Sequence, residues 1–342
     1  MARIGMNPAR HRKTEYEPSR VTVVVLVYIP HLSGYFEHRL DVFKVCILSI
    51  LQHTSVPYDL MVFDNASCDE VKSYLNELQE AGVVRYLITS NENIGKLGAL
   101  RVISGAAPGD VIAYTDDDTF FYPNWLEAHL NILDSFPNVG MVSGSPERTL
   151  FDHGIESNLQ YAESNPGVTL SYGKTIPESW EEEWAFSLGK DVPQYLEEVR
   201  DLEDIIIEQD GQRVYATACH NQFITPKSVA VEFLQNEWTG RLMGGMNELD
   251  NAIDSAGYLR LTTLDRTTRL IGNIVSRPLA EEADRYGIRM EAQESVSKTS
   301  GKNFLIRWGP SRWFLQGLYN RLFGLLSQQS GGWYAQGEQE DG

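Results

Sequence analysis

The chain has 342 residues, 42 % hydrophobic and 11 % aromatic, enough for a sizeable core and too much for a wholly disordered polymer. Lys and Arg number 29 against 47 Asp and Glu, and the resulting net charge of −18 repels a phosphate backbone, which argues against general nucleic-acid binding. Three cysteines (Cys46, Cys68 and Cys219) make no disulfide framework, and no apolar run reaches the ~18 residues a membrane-spanning helix needs, so a reducing cytoplasm is the expected location.

Residues 1–19 are polar with a basic bias and read as a flexible leader. Val21 to Tyr28 (VTVVVLVY) is a short β-branched run suited to a buried parallel strand. Leu40, Phe43, Ile47, Ile50 and Leu51 then recur at helical spacing. Tyr58 to Phe63 is a second strand that stops at Asp64-Asn65, and Asp69 to Ala81 a second helix. Val83 to Thr89 is a third strand, Ile94 to Ser104 a short helix with Gly95, Gly98 and Ala99, and Val111 to Tyr114 a fourth strand that stops at Asp116-Asp117-Asp118. Alternation of this kind predicts a doubly wound parallel α/β sheet, whose ligands lie beyond the carboxyl ends of the strands. Tyr28, Asp64 and the three aspartates stand at those ends.

Asn124 to Phe136 reads as a helix and Val139 to Ser143 as a strand, after which Arg148 to Asp210 looks irregular. Glu178 to Asp210 carries twelve Asp/Glu against two Lys/Arg, which marks a solvated helical insertion within 148–212 or an acceptor-binding lid containing Trp180 and Trp184. Arg213 to Thr225 resumes strand character, Leu249 to Gly257 is helical, and Tyr258 to Leu264 is a strand.

Three carboxylates at a strand tip concentrate charge that a cation or many donors must neutralise. Side chains two apart on an extended segment point the same way, so Asp116 and Asp118 can converge on one hard divalent ion, Mg2+ or Mn2+. Two carboxylates do not close a cage; they suit an ion whose other ligands are water and substrate phosphates. The competing reading is an acidic turn capping the helix at Asn124. Asp64 can accept from the N–H of a nucleobase or from a ribose hydroxyl, or can serve an Asx-turn while Asp69 caps the next helix. Asn91 to Gly98 (NENIGKLG) puts Lys96 where it could meet a phosphate, although a glycine pair also serves tight packing.

Taken in order, VYIP, CILSIL, FDNASCDE, NENIGKLGALR and YTDDD resemble the family 2 glycosyltransferases of GT-A fold. The resemblance is strong over 20–145 and weaker to about 275. It implies a nucleotide-sugar-binding half at 20–145 and an acceptor-binding half at 146–275, followed by an extension at 276–330 and a disordered tail at 331–342. It further implies a nucleotide-diphosphate sugar donor held by Tyr28, Asp64, Asn93, Lys96, Asp116 and Asp117, with metal on Asp116 and Asp118. The expected reaction is a metal-dependent, inverting transfer to a hydroxyl of a polysaccharide, lipid-linked or small-molecule acceptor. The family's general base comes from a Glu-Asp pair before a helix ending in Gly-Tyr. Here that stretch is GGMNELDNAIDSAGY (244–258); the pair is absent, and Asp250 and Glu248 are the candidates, with Asp254 behind them. N-terminal helix charge is the structural reading of these acids.

His220, in ACHNQFIT, would face the acceptor end or pack as an ordinary core histidine; Cys46 and Cys219 read as small core residues. The segment from Lys302 to Ser330 has four basic and no acidic residues, and Leu315, Leu318, Leu322 and Leu325 share one helical face. That amphipathic helix, 302–327, would pack on the protein, meet a second copy, or lie on the inner membrane surface. Two other functions stay open: a nucleotidyltransferase, although IPHLSGYFEH lacks its basic loop, and a non-catalytic sugar-nucleotide-binding protein that lost its base.

Overall fold

The computed structural model describes residues 5–7, 9–234 and 240–293. Its first half alternates as the sequence predicts: β1 (Val21–Val27), α1 (Arg39–His53), β2 (Tyr58–Asn65), α2 (Asp69–Glu80), β3 (Tyr86–Ser90), α3 (Gly95–Ala106) and β4 (Val111–Asp116). A short β5 (Thr119–Phe121) precedes α4 (Trp125–Ser135) and β6 (Val139–Ser143). Then follow α5 (Glu156–Ser164), β7 (Val168–Gly173), α6 (Glu178–Ser187), α7 (Val192–Val199), β8 (Asp204–Gln209) and β9 (Gln212–Tyr215). The described part ends with β10 (Gln222–Pro226), α8 (Lys227–Leu234), α9 (Met246–Ser255), β11 (Leu259–Thr263), β12 (Thr268–Leu270) and α10 (Arg277–Arg285).

Ten strands form one sheet in the order β3-β2-β1-β4-β10-β6-β11-β9-β8-β7. The first four are mutually parallel, while β10 runs antiparallel to both β4 and β6. The doubly wound expectation therefore holds over β3, β2, β1 and β4 and gives way to a mixed sheet beyond them. Strand alternation explains how both faces are covered. In β1, Val21, Val23, Val25 and Val27 join the core formed with Phe43, Ile47 and Ile50 of α1, whereas Val24 and Leu26 join Leu100 and Ile103 of α3 on the other face. Helix α1 is buried on a second side as well, where Val42 and Val45 meet Phe120 of β5 and Leu279 and Ala283 of α10.

Several expectations need correction. The stretch 148–210 is ordered rather than irregular: β7 and β8 pair antiparallel within it, and Arg148 donates to Asp204 Oδ1 (2.9 Å) and to the Ile176 carbonyl (2.6 Å) in a buried link. Strand β7 lies at the sheet edge with half-exposed side chains and lacks a continuous apolar run, whereas β8, one place in, buries the short run Ile205 to Ile207 between acidic residues. The acidic portion of the stretch does form two helices, α6 and α7, with Asp191 capping α7 by accepting from Gln194 N–H (3.0 Å). The leader is pinned at its end, because the Tyr16 hydroxyl (2.7 Å) and Ser19 N–H (3.0 Å) both donate to Asp59 Oδ2. Arg213 to Thr225 is two strands, since the chain leaves β9 after Tyr215 and crosses to a different place in the sheet. Asp69 is the first residue of α2 rather than its cap, and Asn124, at a φ of 64°, makes no side-chain cap to α4.

Among the described residues no helix is long and apolar enough to cross a membrane. The segment 302–327 and the tail 331–342 lie outside the described residues.

His129 of α4 is fully buried, with Nε2 2.9 Å from Thr267 Oγ1, and burial pushes its pKa down to about 3. A depressed native pKa means that the unfolded chain takes up the proton first as pH falls. Stability is therefore complete above about pH 6.5 and is lost as pH drops toward about 3. The loss has a slope of up to about 1.4 kcal/mol per pH unit. Urea midpoints of wild type and His129→Gln between pH 7.5 and 5 should diverge in slope, with the variant the flatter; parallel lines would count against a neutral buried His129.

Candidate active site

Strand register aligns the site. Leu26 pairs with Phe63 and with Asp116, and Val27 with Asp64, so Asp64 and Asp116 flank the end of β1. Asp64 is fully buried. Its Oδ1 accepts from Ser67 N–H (2.8 Å) in the expected Asx-turn, and its Oδ2 has no hydrogen-bond partner among the described residues. Ser67 Oγ in turn accepts from Ile29 N–H (3.1 Å), which ties the ends of β1 and β2 together. Tyr28 follows β1 and packs edge-on against Phe36, with ring centroids 6.0 Å apart.

The start of α3 is built by side-chain amides. Asn65 Oδ1 accepts from Ile94 N–H, its Nδ2 donates to Asn93 Oδ1, and Asn93 Oδ1 also accepts from Gly95 N–H, all at 2.9 Å. Lys96 is thereby aimed across the strand ends. Its ammonium donates to Asp116 Oδ2 (2.8 Å) and to the His220 carbonyl (3.2 Å), while the Tyr114 hydroxyl donates to Asp116 Oδ1 (2.5 Å).

Strand β4 ends at Asp116, so Asp117 and Asp118 are reached through a turn rather than by the two-residue repeat of an extended segment. Consequently the flanking acids hold different cations: Asp116 takes Lys96, and Asp118 Oδ2 takes Arg39 (2.7 Å). Arg39 also pairs with Asp117 and donates to the Gly272 carbonyl (3.0 Å). Burial pushes the Asp117 carboxyl up to about 7, against the pull of Arg39, and burial raises Asp118 as well. Burial works against the charge of Arg39, but Asp117 and Asp118 more than offset it and its pKa is raised. The partly exposed oxygens of Asp116 and Asp118 are satisfied by two cationic side chains and one hydroxyl, which is the hard-oxygen chemistry a divalent ion takes. Among the described residues no three acidic, histidine or cysteine side chains form a closed metal cage.

The opposite wall comes from the antiparallel strand. Because β10 runs against β4, with Gln222 opposite Thr115, the residues just before β10 arrive at the carboxyl end of β4. Asp116 N–H donates to the Asn221 carbonyl (2.9 Å). His220 Nδ1 lies 3.0 Å from Asp250 Oδ2, in the second turn of α9. That same oxygen is 3.0 Å from Arg260 Nη2 and 3.5 Å from His153 Nε2. Burial opposes ionisation of Asp250, yet the neighbouring His153 and His220 rings and the charge of Arg260 lower its pKa to about 2. Asp250 has no solvent-accessible surface. Glu248 stands on the surface with its carboxylate 3.7 Å from Arg241, and Asp254 is spent accepting from Ser157 N–H (2.9 Å) and Oγ (2.7 Å). Trp184, Thr119 and Asn221 line one small cavity, and Trp180 and Trp184 an adjoining one. Cys46 and Cys219 are buried, as expected of core residues.

Residues 35–183 match the family model for glycosyl transferase family 2. Over that stretch, somewhat under half of the chain, the sequence is similar to glycosyl transferase family 2. No curated protein matches the chain. Among solved structures, the mannosyltransferase PcManGT from Pyrobaculum calidifontis, in complex with GDP-Man and Mn2+, is 24 % identical over 40 % of this chain and 38 % of its own, with a TM-score of 0.32. GalNAc-T7 with UDP, GalNAc and Mn2+ is 15 % identical over 75 % of this chain and 44 % of its own, with a TM-score of 0.46. The S. aureus protein TarS is 15 % identical over 37 % of this chain and 22 % of its own, with a TM-score of 0.30. The chain thus spans less than half the length of each of these structures.

Two cations of the site escape sequence reading. Arg39, inside the stretch that matches the family model, sits in an ordinary amphipathic helix, and Arg260, beyond it, sits in a strand; neither carries a motif. The only signal was indirect, since three adjacent carboxylates demand positive partners. At the start of α3, Gly95 has a φ of +72°, and a Cβ there would stand 2.2 Å from the Arg241 carbonyl oxygen. Gly95→Ala should therefore cost about 1–2 kcal/mol from the left-handed backbone alone, and more from the collision, visible as a lower melting temperature. An unchanged melting temperature would show that the 240–245 loop does not press on α3.

Proposed function

We propose that the protein transfers a sugar from a nucleotide-diphosphate sugar to a hydroxyl acceptor, by direct displacement that inverts the anomeric centre. The observation that carries the reading is the meeting of two sets of groups at one end of the sheet. Asp64, with one unpartnered buried oxygen, and the Asp116–Asp118 turn come from parallel strands; His220 and Asp250 come from the antiparallel side. Asp64 Oδ2 suits an N–H or O–H of the nucleoside. Asn93 acts through the backbone it orders at α3, and Lys96 supplies positive charge for phosphate oxygens. Arg39 holds Asp117 and Asp118 in place.

Asp116 and Asp118 would hold Mn2+ or Mg2+, which when bound neutralises charge on the departing diphosphate. The acceptor is a hydroxyl of a polysaccharide, a lipid-linked sugar or a small molecule, approaching from the wall that His220 and Asn221 supply. Asp250 serves the acceptor side.

Two measurements test this. A thermal-shift screen with UDP-, GDP- and dTDP-sugars should show at least one that raises the melting temperature, more with Mn2+ than without, because a ligand that binds only the folded state stabilises it. Asp118→Asn should abolish transfer while leaving the circular dichroism spectrum unchanged. Near-normal turnover in that variant would remove Asp118 from the site.

A further inference from the structure

A hydroxyl acceptor must lose a proton, and neither acid expected for that task is placed to take it. Glu248 is on the surface beside Arg241. Asp250 is inaccessible, held at a low pKa and bound through one oxygen to Arg260 and His220. A carboxylate so stabilised is a weak base, but it is well suited to hold an imidazole.

We propose that His220 is the general base and that Asp250 is the positioning residue behind it. The assignment rests on the glycosyl-transfer reading and adds to it the group that moves the proton. Asp250 Oδ2 at 3.0 Å fixes the proton on Nδ1, which leaves Nε2 as the basic nitrogen. The ring is partly exposed, one quarter of the side chain, and Nε2 has no hydrogen-bond partner among the described residues. Two backbone links anchor His220 beside the donor site: its carbonyl accepts from Lys96, which holds Asp116, and the next carbonyl, of Asn221, accepts from Asp116 N–H. Arg260 keeps Asp250 ionised in a buried setting, donating also to the Gly154 and Ala218 carbonyls (2.8 Å each), so that the pair is rigid.

The step balances. The acceptor oxygen forms its bond to the anomeric carbon as the bond from that carbon to the diphosphate oxygen breaks and the leaving group keeps the electron pair. The hydroxyl proton passes to His220 Nε2, and the imidazolium so formed is stabilised by the Asp250 carboxylate. Product release returns the proton to solvent.

Water is the acceptor in the simplest test, since its attack needs the same base. Consumption of UDP-glucose, GDP-mannose and dTDP-glucose with Mn2+ is measured for wild type, His220→Gln, His220→Ala and Asp250→Asn, together with donor-induced thermal shifts. With the donor that wild type consumes, His220→Gln should lower kcat by about 10²–10⁴-fold with its donor-induced thermal shift retained. Added imidazole should restore part of the rate to His220→Ala. Asp250→Asn should lower kcat by about 10²–10⁴-fold with little change in donor KM. In wild type, 15N-imidazole NMR should show His220 protonated on Nδ1 when neutral. Hydrolysis within threefold of wild type in His220→Gln overturns the assignment and leaves the glycosyl-transfer reading standing. A wild type that neither binds nor consumes any of the donors overturns that reading instead. Should the variants fail to fold, the wild-type spectrum decides: an Nε2-protonated His220 overturns the assignment.

Discussion

Three consecutive carboxylates at the end of a buried strand are an electrostatic problem that the fold has to solve before it can do anything else. Isolated negative charges in a low-dielectric setting are disfavoured, and adjacent ones raise one another's pKa. Here two cations from different elements meet the demand. Arg39 reaches in from α1 and takes Asp117 and Asp118; Lys96 reaches in from α3 and takes Asp116. Helices on opposite faces of the sheet are thus drawn to the same point, and the position of each depends on the charge between them. Removing one partner of such a buried pair leaves the other uncompensated, which is why these contacts are structural as well as chemical.

The second constraint is directional. A purely parallel sheet presents its carboxyl ends on one side and its connections on the other, so it builds a site from one set of loops. Inserting the antiparallel β10 between β4 and β6 breaks that rule. The amino-terminal approach to β10 then lies among the carboxyl ends of its neighbours, and Cys219, His220 and Asn221 enter the same space as Asp116. Helix α9 packs behind them and supplies Asp250. The protein therefore has two walls of different origin, one acidic and paired with cations, one carrying imidazole.

Much of the amino-terminal half was readable because its signals are local. VTVVVLVY, YDLMVF and VIAY are apolar runs bounded by turn residues, and the aspartates that follow them mark strand ends directly. The remainder depended on contacts far apart in the chain. Nothing in EHRLDVF distinguishes Arg39 from any helical arginine, since its role is set by residues 78 and 79 positions away. Likewise β5 and β12 are three residues each and exist because they pair with one another across the sequence. The edge strand β7 is half-exposed, and its inner neighbour β8 carries only three apolar residues flanked by acids, so local pattern reads both as loop. His220 looked like strand interior in RVYATACHNQFIT; only the sheet order shows that the chain must leave β9 before it can enter β10, which puts that histidine in the crossing. The two acids offered by the GGMNELD stretch could not be ranked from spacing, because one faces the core and one faces solvent within a single helical turn.

Lys96 touches more of this architecture than its single charge suggests. Its N–H donates to the Leu242 carbonyl (3.3 Å), and its ammonium reaches Asp116 and the His220 carbonyl while lying 5.3 Å from the centre of the Tyr114 ring. One residue is thus a staple through the loop before α9, the tip of β4 and the approach to β10. An anion that competes for that ammonium would withdraw a fastener shared by three segments of the chain.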